Sequence, residues 1–274
     1  MTKIAAIARN PINSPNMTVN DAALLECIIA RLSECGADVA VVGEDEELPA
    51  DTQGVCSMSR TTGTLERLKR AEEQGVVVIN PTTAVKNSSR ECFMTILHNN
   101  GIPQPSFCFV KDAKEIDNEL FPCWIKKAQG WSCHKDDVCY AGNRQEAIAI
   151  IEQHTKRGTT DCIQMQHCPG DIIKFYGVGS KLFYHCYPEN TKFGKEEING
   201  APKHYSFDTA VLREIAQKAA RLIGLDIYGG DAIVTREGDI YIIDINDFPS
   251  FTAIREIAAF EIAGLIKEKT TLQK

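Results

Sequence analysis

The sequence lacks the features that mark membrane and secreted proteins. No apolar run approaches the roughly 18 residues that a membrane-spanning helix needs. The segment from Met1 to Asn10 holds one lysine and a short apolar run that Arg9 interrupts, which is too little for a signal peptide. We therefore expect no membrane association and a cytoplasmic location.

Positive charge is also in short supply. The 30 lysines and arginines are outnumbered by 37 acidic residues, and the formal net charge is −7. A protein that binds nucleic acid usually presents a basic face to offset phosphate charge, so we expect no nucleic-acid partner. We expect a small-molecule partner instead.

Paired cysteines are missing as well. The 11 cysteines are an odd number with no C-x-x-C pair, and we interpret them as buried free thiols. The dipeptide Cys133-His134 lacks the second pair of ligands that a structural zinc site requires. Zinc is therefore not expected.

The 274 residues are 43% hydrophobic, which suits one large domain or two to three smaller ones. Apolar runs predict strands over 3–8, 38–42 and 76–80, and helical periodicity predicts helices over 20–35 and 64–73. This alternation predicts a small unit with a parallel sheet covered by helices.

The rest of the chain predicts two further units. A helix over 82–100 ends at Gly101, and Pro103 and Pro105 force an extended exit that we interpret as a domain boundary. The polar segment 188–206 is predicted to be a long loop that closes over substrate. The predicted domains are 1–85, 86–165 and 166–274. The remaining strands are predicted over 106–110, 123–127, 162–166, 172–178 and 181–187, and the helices over 143–155, 208–223 and 252–267.

Two apolar runs, 230–235 and 240–246, flank a glycine-containing turn and predict an antiparallel hairpin. With Thr235 opposite Ile240 and a constant register, Asp231 lies directly across from Asp244. Asn246 projects to the same face, because side chains alternate with period two.

Directly opposed carboxylates repel each other, so this pair calls for a cation. Carboxylate and amide oxygens are the ligands that Mg²⁺ takes in nucleotide sites. The alternative is that Asp231, Asp244 and Asn246 are solvated groups at a frayed hairpin end.

The segments Gly230-Asp231 and Asp244-Ile245-Asn246-Asp247-Phe248-Pro249 resemble the C-terminal pattern of the ATP-grasp superfamily, especially its RimK-like ligases and the inositol polyphosphate kinases. The resemblance implies an α/β (α+β) chain in which two α+β subdomains grip ATP after a small N-terminal domain with a parallel sheet. It also implies ATP and Mg²⁺ as cofactors, with Mn²⁺ as an alternative metal, and Asp231, Asp244 and Asn246 as ligands.

Other segments extend the resemblance to the nucleotide site. Residues 122–126 resemble the strand whose lysine reaches the phosphates, and residues 128–132 occupy the place of the mobile glycine loop. Residues 163–174 resemble the strand and linker that hold adenine and ribose, although many members carry Gln-Glu where this chain has Met165-Gln166. The residues that the resemblance implies for the nucleotide are Arg90, Lys126, Gly130 and Ser132 for the phosphates, Gln166, His167 and Cys168 for adenine, and Asp171 for ribose.

The resemblance favours a ligase that joins a carboxylate to an amine through an acyl phosphate. Lys174 and Arg255 are the candidate catalytic cations, with plain surface charges as the alternative. Two loops, 14–16 and 57–60, follow predicted strands, where α/β sheets present ligands, so both are candidates for acceptor binding unless they are simple turns.

Two other functions stay open. A kinase of the inositol-phosphate type would need a basic pocket, for which the acidic composition offers limited material. A nucleotide-binding protein without catalysis is the third. The substrates and any homo-oligomer stay undetermined. The residues that could build the basic pocket of a kinase are His134, Lys135, Lys192, Lys195, Lys203 and His204.

Overall fold

Three four-stranded sheets form the framework of the chain. The computed structural model describes residues 1–188 and 198–272. Lys192, Lys195 and most of the first half of the predicted closing loop lie outside the described residues. None of the described helices is long and apolar enough to cross a membrane.

The first sheet is parallel, with strand order β2-β1-β3-β4, and confirms the predicted N-terminal α/β unit. The third strand, Gly54–Ser57, has four residues and ends where the candidate loop 57–60 begins. The elements of this part are β1 (Lys3–Ile7), α1 (Thr18–Glu34), β2 (Asp38–Val41), β3 (Gly54–Ser57), α2 (Thr62–Glu73), β4 (Val77–Ile79) and α3 (Thr82–Asn87).

The predicted helix over 82–100 is wrong as one element, because the chain breaks between α3 and α4 (Arg90–Asn99). The Ser88 hydroxyl lies 2.7 Å from the Val85 carbonyl oxygen and competes with main-chain bonding, and Ser89 is extended. The break gives α4 its own N-terminus, at which the Arg90 N–H donates to the Gly130 carbonyl at 3.1 Å. The N-terminus of α4 therefore contacts the glycine loop.

The second and third sheets are antiparallel, with strand orders β5-β8-β6-β7 and β10-β9-β11-β12. Helix α5 packs on the second sheet, and α4 and α6 pack on the third. Their elements are β5 (Phe107–Val110), β6 (Cys123–Lys127), β7 (Val138–Ala141), α5 (Arg144–Lys156), β8 (Cys162–Gln166), β9 (Asp171–Val178), β10 (Leu182–Cys186), α6 (Thr209–Ile223), β11 (Ile227–Val234) and β12 (Ile240–Asp247).

The final helix, α7 (Arg255–Leu272), begins later than predicted and returns to the first sheet. Its buried face shares one hydrophobic core with α1 and β1, represented by Ile262, Leu24 and Ile4. Phe248, just after β12, lies in the same core. The C-terminal hairpin therefore ends against the N-terminal unit. The domain boundaries at 85 and 165 stay a prediction.

All 11 cysteines are free, but the prediction that they are buried is wrong for most of them. Only Cys56, Cys123 and Cys162 are buried, and Cys35 and Cys92 are exposed. Thiols are small enough to sit at partly covered positions, so residue type alone does not fix their burial.

The hairpin of β11 and β12 confirms the predicted pairing of Asp231 with Asp244, but the constant register is wrong. Val234, not Thr235, lies opposite Ile240, and Ala232 lies opposite Ile242. A bulge at Ile243 then restores the expected register before the two carboxylates. Bulged residues leave the ladder, and the Ile243 carbonyl instead accepts from Lys126 Nζ at 3.2 Å.

Gly230 lies at a tightly packed position of this hairpin. A Cβ atom there would lie 2.2 Å from the Asp244 carbonyl oxygen and 2.5 Å from Phe175 Cζ. We expect Gly230→Ala to lower the free energy of unfolding by about 1–3 kcal/mol, as overpacking does. Urea denaturation measures this effect. Gly264→Ala in α7 is the control, since its Cβ would meet nothing within 4 Å and should stabilise the helix by up to about 1 kcal/mol. Equal stability of both variants would contradict this account.

Candidate active site

One cleft brings together side chains from the first sheet, the glycine loop and the third sheet, with a cavity volume of about 290 Å³. Arg60 and the loop from Ser14 to Asn16, both candidates for acceptor binding, line it. Most of the other predicted site residues also line the cleft, namely Arg90, Gly130, Ser132, Lys174, Asp231, Asp244 and Asn246.

Lys174 lines the cleft beside Asp231, one of the predicted metal ligands. On β9 it stands opposite Asp231, and its Nζ lies 3.0 Å from Asp231 Oδ1. The Asp231 carboxylate raises the pKa of Lys174 above its usual value, and this attraction outweighs the opposing effect of burial. Lys174 therefore carries a positive charge that offsets the opposed carboxylates.

Asp244 and Asn246 complete the acidic side of the cleft. Asn246 Nδ2 donates to Asp244 Oδ2 at 3.4 Å, and Arg90 Nη2 lies 4.0 Å from Asp244 Oδ1. Among the described residues, no group of three or more His, Cys, Asp and Glu side chains could hold a metal alone. Two carboxylates with one amide oxygen instead match Mg²⁺, which also takes water and phosphate ligands.

Arg90 and the glycine loop form the facing wall. Arg90 donates to the Lys127 carbonyl at 3.0 Å and to Ser132 Oγ at 2.9 Å. Gly130 has a φ of +67°, in the left-handed region that favours glycine. The loop is thus held over the acidic side of the cleft by a buried arginine.

A narrower, mostly apolar cavity lies between the second and third sheets. Lys126 reaches into it with its Nζ 3.1 Å from Met165 Sδ, and Gln166 and Cys168 also line it. A mostly apolar lining with a few polar groups is typical of small-molecule sites. The lining also includes Trp124, Ile172, Ile233 and Ile243.

Two residues predicted for the nucleotide lie in a neighbouring cavity. His167 Nδ1 accepts from Trp124 Nε1 at 3.2 Å, and burial lowers the pKa of His167. Asp171 accepts from the main-chain N–H groups of Lys203 and Tyr205 at 2.7 and 2.8 Å. Asp171 therefore fixes the start of the 203–205 segment, and its contact with ribose stays a prediction.

Arg255 is placed away from the predicted chemistry. It begins α7 and donates to Asn20 Oδ1 in α1 at 2.9 Å. The described residues that line the cleft do not include Arg255. Its predicted role as a catalytic cation therefore gains no support from its contacts, because the start of α7 places it against α1.

Sequence reasoning missed an ion-pair cluster of Arg9, Arg60 and Asp247, in which all three side chains are buried. Burial raises the pKa of Asp247, but the charges of Arg60 and Arg9 outweigh it and the pKa lies below its usual value. Burial, followed by repulsion from Arg60, lowers the pKa of Arg9 to about 10. Arg9 follows β1 as Arg60 follows β3, so the strand-end rule that indicated Arg60 could also have indicated Arg9.

The arrangement of three sheets around this cleft is the ATP-grasp fold, as predicted. No protein-family profile matches the sequence, and no curated protein matches it either. Solved structures match over nearly the whole chain.

A D-alanine–D-alanine ligase from Bacillus anthracis, solved in complex with ATP, has a TM-score of 0.73 at 12% identity and covers 99% of this chain and 98% of its own. A RimK-domain ATP-grasp protein from Sphaerobacter thermophilus has a TM-score of 0.70 at 16% identity, with 97% and 100% covered. The ATP-grasp ligase PsnB, solved with a minimal precursor, Mg and ADP, has a TM-score of 0.69 at 15% identity, with 97% of each chain covered. At these identities the likeness establishes the fold.

Proposed function

We propose that this protein is an ATP- and Mg²⁺-dependent ligase that joins a carboxylate to an amine through an acyl phosphate. The observation that carries the proposal is the cleft itself. It gathers the oxygens of Asp231, Asp244 and Asn246 opposite Arg90 and beside Lys174. The ligases of the same fold in the comparisons support this chemistry without fixing the substrates.

The residues present fit the cofactors. Asp231, Asp244 and Asn246 would hold Mg²⁺, or Mn²⁺ as the alternative, and the bound metal would neutralise phosphate charge during transfer. The apolar cavity would receive adenine. Lys126, Arg90 and the N–H groups of the loop at Gly130 and Ser132 would bind the phosphates, as cationic and main-chain donors do in other nucleotide sites.

The proposed reaction has two steps. A carboxylate oxygen of the first substrate attacks the γ-phosphorus, the bond to the β-phosphate oxygen breaks, and ADP leaves. The amine nitrogen of the second substrate then attacks the acyl carbon, inorganic phosphate leaves and one proton is released. Lys174, held in its charged form by Asp231, stabilises the negative charge that develops on the transferred group.

The geometry gives less support to the kinase alternative. His134 contacts Arg157 and Asp136 at the surface of the second sheet, and Lys203 lines the cavity beside Asp171. Among the described candidates for a basic pocket, none lines the cleft of Asp231 and Asp244. A polyphosphorylated acceptor would therefore meet few of those charges at the proposed site of transfer.

Incubation with ATP, Mg²⁺ and pools of amino acids and small acids tests the proposal. We expect ADP, inorganic phosphate and a product whose mass equals that of the two substrates less one water. A product that gains a phosphate without condensation would identify a kinase. Nucleotide binding without ADP formation across the pools would favour the non-catalytic alternative.

Lys126→Met tests the phosphate role of the buried lysine, because it keeps most of the side-chain volume and removes the charge. A charge-assisted hydrogen bond contributes about 1.5–3 kcal/mol, so the Kd for ATP is expected to rise at least about tenfold. Isothermal titration calorimetry measures the change. Lys127→Met is the matched control, since Lys127 projects to the opposite face of β6 and is only half-buried. A larger loss in the control would reassign the role to Lys127.

A further inference from the structure

The buried cluster of Arg9, Arg60 and Asp247 lines the same cleft and has no part in the reaction steps proposed above. The side chains are 5%, 6% and 1% exposed, respectively. Arg60 Nε and Nη2 lie 2.8 and 2.6 Å from Asp247 Oδ1. Buried charges persist only with close partners, because each one loses its hydration.

The cluster holds the strand end that carries the predicted metal ligands. Asp247 directly follows Asn246 and closes β12, and its side chain projects to the face away from Asp244 and Asn246. Arg9 Nη2 donates to the main-chain carbonyls of Asp247 and Phe248 at 3.3 and 2.7 Å. Arginines of the N-terminal unit therefore fix this part of the C-terminal hairpin.

The same cluster also holds the glycine loop. The guanidinium carbon of Arg60 lies 4.8 Å from the ring centroid of Trp131, which stands between Gly130 and Ser132. Trp131 Nε1 donates to Ser88 Oγ at 3.2 Å, and Ser88 Oγ lies 3.3 Å from Asp247 Oδ1. A guanidinium over an indole ring is a favourable cation–π contact, so Arg60 binds the loop and the strand end at once.

We propose that Arg60 is a positioning residue for phosphoryl transfer, which sets the distance between the glycine loop and the strand end that carries Asp244 and Asn246. The inference rests on the proposed function, because it requires both walls to meet the nucleotide phosphates. Lysine would keep the charge but would lose the planar fork and the stacking surface. Arg60 therefore has a geometric role that its charge alone does not fill.

The test measures the Kd of ADP with Mg²⁺ by calorimetry, at a temperature where circular dichroism shows every variant to be folded. Arg60→Lys is expected to weaken binding about tenfold, a typical coupling through a contact network. Arg31→Gln is the matched control in the same N-terminal unit, since Arg31 forms only exposed ion pairs with Glu34 and Glu256. The control should bind as the wild type does.

A second set of variants tests the link from the loop side and stays informative if Arg60→Lys does not fold. Trp131→Ala is expected to weaken Mg·ADP binding as much as Arg60→Lys, while Trp131→Phe should restore most of the affinity through its ring. The double variant should lose less than the product of the two single losses, because both remove the same contact.

The outcomes separate the two proposals. Two results would overturn the positioning role while leaving the ATP-dependent function intact. One is a double variant whose increase in Kd equals the product of the two single increases, and the other is wild-type affinity in Trp131→Ala. A wild-type protein that does not bind Mg·ADP at all would overturn the proposed function and this inference with it.

Discussion

The Asp244→Ala variant is expected to form no detectable ADP while keeping its fold. Asp244 contributes one of the opposed carboxylates and lies 4.0 Å from Arg90 at the mouth of the cleft. Its side chain lines the cleft, so truncation enlarges the cleft and does not leave an enclosed cavity in the core. The loss should therefore be catalytic, and coupled detection of ADP measures it beside the free energy of unfolding.

Asp239→Ala is the matched control for Asp244→Ala. Asp239 lies in the turn of the same hairpin, its side chain is exposed, and its removal changes the charge by the same amount. Wild-type turnover in the control with none in Asp244→Ala would locate the effect in the cleft. Normal ADP formation by Asp244→Ala would remove the proposed metal site and the ligase proposal with it.

The Lys174→Met variant is expected to lose activity almost as strongly. Removing one preorganised donor to a developing negative charge lowers kcat by about 10²–10³ in well-studied sites. The KM for ATP should change less than kcat, because the ion pair with Asp231 places Lys174 beside the predicted metal ligands and not in the cavity proposed for adenine. Steady-state kinetics with the identified substrates separates the two parameters.

A second measurement on Lys174→Met concerns the free protein. Without its lysine, the Asp231 and Asp244 pair loses one of the cations that offset it, so Mg²⁺ alone should raise the melting temperature more in the variant than in the wild type. Lys181→Met is the control, since Lys181 pairs with Glu268 at the surface. An identical response to Mg²⁺ in all three proteins would show that Lys174 does not shield the carboxylates.

The sequence predicted the central geometry for reasons that are local. Alternation along two strands and one short turn brought Asp231 opposite Asp244, and the pairing holds because the offset near the turn and the bulge at Ile243 cancel. The bulge itself has no clear signal, since Ile242, Ile243 and Ile245 are equally apolar. Local pattern thus located the cleft but not the contact between Ile243 and Lys126.

Features that depend on distant parts of the chain were not predictable. Arg255 follows β12 closely in sequence, yet its contact is Asn20, which is remote in sequence and close in space. The role of Arg9 depends on the carbonyls of Asp247 and Phe248, at the other end of the chain. Which charged residues become buried therefore depends on tertiary contacts that local sequence does not encode.

The return of α7 to the first sheet has a consequence for biosynthesis. Ile4 and Leu24 share their core with Phe248 and Ile262, so the N-terminal unit stays partly uncovered until α7 has been synthesised. Contacts between such distant segments form slowly, and apolar surface left open during that interval favours aggregation. Chaperones should therefore bind the nascent chain most strongly before α7 is in place.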